Sequence, residues 1–129
     1  MEAPIDEDNH GLLFLNSRVG YSDIFDGSAK TILLGEVLVD ENSLGWASGT
    51  RATLRNTGSF EESVLPGSTA KKAVEDPLYV GGFGSFHIGD ISNFALADGS
   101  VRAISRDIDA NLFRLLGHRA DGEIMKEFP

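Results

Sequence analysis

The sequence has no cysteine. Disulfides, thiol nucleophiles and cysteine metal centres are therefore excluded, although this absence does not by itself assign a compartment. Long apolar runs are also missing: no segment approaches the roughly 18 consecutive apolar residues that a membrane-spanning helix needs. The first eight residues, Met1 to Asp8, are acidic and polar, which fits neither a signal peptide nor a pilin-type anchor helix. Basic residues are few, 11 against 20 acidic ones, for a formal charge of −9. Such a surface repels phosphate backbones and anionic membranes, so a nucleic-acid partner is not expected. What is present is an ordinary globular balance, with 41% hydrophobic residues in a chain of 129. That length fits one domain able to bury roughly two-thirds of its unfolded surface. Fifteen glycines predict a turn-rich, β-leaning chain.

Along the chain, residues 1–10 read as a flexible leader and 11–129 as a single domain. Gly11 to Leu15 is a short apolar run that could be strand or helix at this length. Ser22 to Lys30 reads as a capped turn, with Ser22 or Asp23 as the cap and Gly27 in the left-handed conformation that ends it. Thr31 to Val39 is β-branched and aliphatic and reads as a central strand, with a bulge or close approach at Gly35. From Asp40 to Val80, Asn, Ser, Gly and Pro repeatedly break the pattern, which predicts an irregular, mobile excursion with Trp46 anchoring a short strand. Gly81 to His87 is a glycine-rich turn. It is no phosphate cradle, because no helix with a lysine follows. Asn93–Ala97 and Ser100–Ile104 flank Asp98-Gly99, the preferred pair of a type I′ β-hairpin. Asp107 to Gly117 reads as a helix, opened by Asp107 and closed by Gly117, with Ile108, Leu112, Leu115 and Leu116 on its apolar side. Glu123–Met125 is a candidate last strand. The expected core is Leu13, Phe14, Ile24, Ile32, Leu34, Phe94, Leu96, Val101, Ile104, Leu112, Leu115 and Leu116.

Three pieces resemble one family, in order. They are Asp23-Ile24-Phe25-Asp26-Gly27 through Gly35-Glu36; Gly84-Ser85-Phe86-His87 with Asn93 to Arg102; and Leu115-Leu116-Gly117-His118-Arg119-Ala120-Asp121-Gly122-Glu123. The family is the prepilin-like group rich in planctomycetes, named for an H-X9-DG motif and also catalogued as a domain of unknown function (DUF1559). The chain departs from the motif, with ten residues instead of nine between His87 and Asp98. The resemblance implies an α+β domain dominated by an antiparallel sheet, with a short helix after the Asp98-Gly99 hairpin, like the head of a pseudopilin. It also implies an anchor helix upstream, a place in the cell envelope outside the cytoplasm, and protein partners in a pilin-like assembly. It implies no enzymatic activity.

The residues that carry the resemblance are also the ones that could do chemistry: Asp23, Asp26, Glu36, His87 and Asp98, with Gly99. As structural groups, Asp26-Gly27 and Asp98-Gly99 form turns, Glu36 pairs with Arg102 or Arg18, and His87 donates to a backbone carbonyl. As chemical groups, Asp23 and Asp26 with nearby carbonyls make a candidate calcium site, although their spacing is not that of an EF-hand. His87 with neighbouring carboxylates would serve a soluble metal-dependent binder or a hydrolase. Ser85, His87 and Asp98 can be assembled into a triad on paper, but no Gly-x-Ser-x-Gly elbow is present. His10 and His118 lie in ordinary contexts. A soluble adaptor acting through protein contacts is a third expectation.

Overall fold

The computed structural model describes residues 9–38, 53–58, 60 and 82–123. Their order is a 3-10 turn at Tyr21–Asp23, strands β1 (Ile32–Gly35), β2 (Ile91–Leu96) and β3 (Val101–Ser105), and helix α1 (Ala110–Leu116). The three strands form one antiparallel sheet in the order β1-β2-β3, with one helix following, an α+β arrangement. Strand β1 is four residues long and, among the described residues, pairs with β2. The register of β1 slips between Ile32 and Leu34, which turns Leu34 outward to 57% exposure and removes it from the expected core.

Strand β2 alternates cleanly. Ser92, Phe94 and Leu96 are buried, as a half-buried strand requires. The hairpin forms where Asp98-Gly99 predicts it, but with a different turn. Gly99 N–H donates to the Leu96 carbonyl and Leu96 N–H to the Ser100 carbonyl, enclosing a loop of Ala97, Asp98 and Gly99. Gly99 is left-handed at φ +85, while Asp98 is not among the positive-φ residues. A type I′ turn needs positive φ at both central positions, so this is the three-residue alternative with glycine in the bulge. The extra loop residue moves the pairing by one, giving Ala95↔Val101 and Phe94↔Arg102. A slip of one residue exchanges the two faces of a strand. Val101 therefore faces outward at 67% exposure, and Ile104 alone carries β3 into the core.

Helix α1 starts two residues later than Asp107 suggests. Asp109 is the cap, its Oδ1 accepting from the amides of Asn111 and Leu112 at 3.0 Å each. Phe113 and Leu116 are its buried residues, with Leu112 and Leu115 only half-buried beside them. Gly117 closes the helix as expected, though not in a left-handed conformation (φ −85). Its small size serves packing, since a Cβ there would lie 2.2 Å from Thr57 Oγ1.

The core is built around phenylalanine. Phe60 stacks on Phe113 at 4.2 Å between centroids, and Phe83 and Phe113 each meet Phe94 edge-on at 5.1 and 5.8 Å. Ile32, Leu96, Ile104 and Leu116 complete the cluster. A fully buried phenylalanine contributes roughly 1.5–3 kcal/mol from area alone, and a well-placed aromatic pair adds about 0.5–1.5 kcal/mol. In the first apolar run Leu12 is the buried residue. Leu13 is 51% exposed, while Phe14 and Ile24 are half-buried. Ile124 and Met125 of the expected last strand, Trp46 and most of the excursion from Asp40 to Val80 lie outside the described residues, as does most of the leader. The described part of that excursion holds Phe60, which pairs with Phe83 through an isolated parallel bridge.

Candidate functional site

Glu36 follows β1 directly, and antiparallel pairing places it beside Asn93 in the middle of β2. The Glu36 amide donates to the Asn93 carbonyl at 3.2 Å. Its side chain completes the contact: Oε2 accepts from the Asn93 amide at 2.7 Å, and Oε1 from Asn93 Nδ2 at 3.4 Å. The His87 ring approaches from the glycine-rich loop, with Nε2 2.9 Å from Glu36 Oε1 and 3.2 Å from Asn93 Nδ2. The loop itself is held by Gly84 N–H donating to the Glu36 carbonyl, and by Ser85 Oγ, which donates to the Ile91 carbonyl and accepts from His87 N–H. Burial pushes the Glu36 carboxyl upward, but the bonds from the Asn93 amide, His87 and the Asn93 side chain outweigh it, and the net shift is down from 4.5. The side chains of His87 and Glu36 are half and one-third exposed.

The sequence places Glu36 and His87 among the candidates, and the structure joins them. The partners it gives the Glu36 carboxylate are Asn93 and His87 in place of Arg102 or Arg18, and the partners it gives the His87 ring are Glu36 and Asn93 in place of a backbone carbonyl. Asn93 was missed. The available signal was its alternation with the buried residues of β2, which puts it on the open face. Asp98 is not part of this group. It lies at the far end of β2, roughly 15 Å along the strand from Asn93. There its Oδ1 accepts from the Ser100 amide at 2.8 Å and the Ser100 hydroxyl at 2.7 Å. The Ser100 hydroxyl, then the Ser100 amide, hold the Asp98 carboxyl below its ordinary value. Gly99 supplies the left-handed residue of the same turn.

Asp23 and Asp26 separate in function. Asp23 Oδ2 accepts from the Gly20 amide at 2.8 Å and caps the 3-10 turn, a task Ser22 was also eligible for. Asp26 reaches across the chain. Its two oxygens accept from the amides of Asp121 and Gly122 at 2.7 and 3.0 Å. The return contacts run through Arg119, whose carbonyl accepts from the Phe25 and Asp26 amides at 2.9 and 3.3 Å. Arg119 also donates from Nη1 to the carbonyls of Asn9 and Gly11. His10 and His118, far apart in sequence, stack at 4.4 Å. Burial, then the neighbouring His10, lower the pKa of His118, against the opposing pull of Asp121 and Asp26.

Among the described residues, Asp26, His118 and Asp121 are the group of three that could offer ligand atoms within 4.8 Å of one another; Asp23 is not in it. Each of the three already serves a backbone amide. Asp26 holds those of Asp121 and Gly122, His118 Nδ1 accepts from Ala120 at 3.1 Å, and Asp121 Oδ1 accepts from Glu123 at 2.7 Å. The arrangement therefore accounts for itself as a lock on the chain after α1.

These contacts tie together the three segments that resemble a family in sequence. The first binds the hairpin: Ala97 N–H donates to the Thr31 carbonyl and Asp98 N–H to the Ser28 carbonyl, while Glu36 holds Asn93 and His87. Asp26 binds the third. A family model described as a protein of unknown function (DUF1559) matches residues 2–111, which covers the first two segments and stops before the third. No curated protein and no solved structure matches the chain.

Proposed function

The chain belongs to the DUF1559 family, and from that premise we propose that it is a structural or binding head domain of an envelope protein, related to pseudopilins and without catalysis. In this reading it lies outside the cytoplasm, follows an anchor helix encoded upstream, uses no cofactor, and meets protein partners in a pilin-like assembly. No helix among the described residues is long and apolar enough to cross a membrane.

The observation that carries this reading is how the motif side chains are employed. Glu36, Asp26, Asp23 and Asp98 each accept backbone amides, and His87 is held by Glu36. A carboxylate that bridges two segments of backbone does the work of a cross-link. A general base must instead face a substrate proton with its basicity available. The depressed Glu36 carboxyl is a poor base for that reason.

The competing reading makes His87 a metal ligand or hydrolytic base, and one pair of variants separates the two. His87→Ala is expected to lower the unfolding midpoint, with His87→Gln recovering part of the loss because an amide can still donate to Glu36. In calorimetric titrations with calcium, zinc and nickel, neither substitution should change uptake. A His87→Ala protein that keeps its stability and loses metal affinity would overturn the proposal.

A further inference from the structure

The chain from Asn9 to Phe14 lies as a strap against the segment that follows α1. Arg119 holds it at several points. Its amide donates to the His10 carbonyl at 3.0 Å, its Nη1 donates to the carbonyls of Asn9 and Gly11, and its guanidinium sits over the Phe14 ring, 5.4 Å from the centroid. Leu12 is the buried residue of the strap. The remaining contact is the His10–His118 stack, with centroids 4.4 Å apart and planes 17° from parallel. His10 is exposed and His118 half-buried. Asn9 to Leu13 also line one side of a cleft of about 280 Å³, which Gly117 and His118 line from the chain after α1.

One hydrogen bond makes this contact sensitive to protons. The Ala120 amide donates to His118 Nδ1 at 3.1 Å. A backbone N–H can only donate, so Nδ1 is unprotonated and the neutral ring carries its proton on Nε2. That tautomer leaves no free ring lone pair for a cation. A second proton lands on Nδ1, where it displaces the Ala120 amide, and it sets a positive charge against the face of a second imidazole. Among the described residues, the charged groups around the pair are Asp26 before β1, and Arg119 and Asp121 after α1, while Arg55 and Arg114 line the same cleft. Burial, His10 and Arg119 oppose the imidazolium, Asp121 and Asp26 favour it, and the balance lies below the ordinary value of 6.5. Closure of the strap is therefore fully supported above that pH, and the support is lost as pH falls from there through the lowered value.

We propose that the His10–His118 stack is a pH-sensitive latch, which holds the 9–14 strap closed at neutral pH and releases it in mild acid, opening that side of the cleft. The latch uses neither His87 nor Glu36, so it stands or falls separately from the function proposed above.

Amide hydrogen exchange followed by NMR from about pH 7.5 to about pH 5.5 tests it, a window above the ordinary carboxylate range. After correction for intrinsic exchange rates, the protection of the Arg119 and Ala120 amides relative to that of Leu96 in the hairpin should fall by up to about tenfold over the pH unit below 6.5. His118→Gln, which has no titrating ring, should remove this pH dependence. His10→Gln removes the stacking partner at an exposed position, so it decides the matter even if His118→Gln fails to fold: the His118 ring should titrate at a higher pH in that variant than in the wild type. Constant protection across the window in the wild type, the same fall in His118→Gln, or an unmoved His118 titration in His10→Gln would each overturn the proposal.

Discussion

At Gly35 a hydrogen stands where any other residue would put carbon. A Cβ there would lie 2.6 Å from Phe83 Cδ1 and 2.6 Å from Phe94 Cε1, both in buried rings. Neither ring can yield without disturbing the phenylalanine cluster, so Gly35→Ala is an overpacking change. It should lower the unfolding free energy by about 1–3 kcal/mol in chemical denaturation, and an unchanged value would mean that the rings have room to move. One residue along, Glu36 carries a different signature. Its carboxyl titrates below its ordinary value of 4.5 in the folded chain, so its bonds stabilise the fold above that pH and are lost as pH falls through the lowered value. Unfolding curves measured from pH 7 down to pH 3 should therefore show an acid loss in the wild type that is smaller in Glu36→Gln. Parallel profiles would remove Glu36 from the acid sensitivity of the fold.

Among the elements, the hairpin is the most informative, because its position was legible and its geometry was not. Asp98-Gly99 between two β-capable runs marks a turn in either of two loop lengths, and both use glycine in a left-handed state. Only the pairing tells them apart, and it is the shorter loop that would have sent Val101 and Ala103 to the core side with Phe94 and Leu96. Gly99 has open space around a built Cβ, so substitution there tests backbone conformation alone. Gly99→Ala should cost about 1–2 kcal/mol, and Gly99→Asn less, because asparagine visits the left-handed region more readily. Equal costs in denaturant melts would contradict that conformation. Helix α1 was similarly legible in place and blurred in detail. Asp107 and Asp109 are both eligible caps, and a reading that followed the leucines passed over Phe113, which packs against Phe60. The candidate site was the least legible part. Glu36 and His87 stand 51 positions apart, and a local pattern carries no information about which residues the sheet will place side by side. The motif spacing drew attention to His87 with Asp98, whereas the sheet puts His87 with Glu36 and Asn93.

For the whole molecule, the family's segments act as one scaffold. β2 is the hub, held on one side by β1 and Glu36 and on the other by β3, while Asp26 fastens the chain after α1 to the turn before β1. The carboxylates of Glu36, Asp26, Asp23 and Asp98 accept backbone amides, the arrangement on which the proposed non-catalytic role rests. A scaffold of this kind suits the role proposed for the chain, a head domain that holds its shape beside partners. The most direct test is the N-terminus of the mature protein in its native cells, read by mass spectrometry of separated envelope and cytosol. The account predicts a longer, membrane-associated form in which a processed hydrophobic helix precedes Met1. A soluble cytosolic form beginning at Met1 would contradict it.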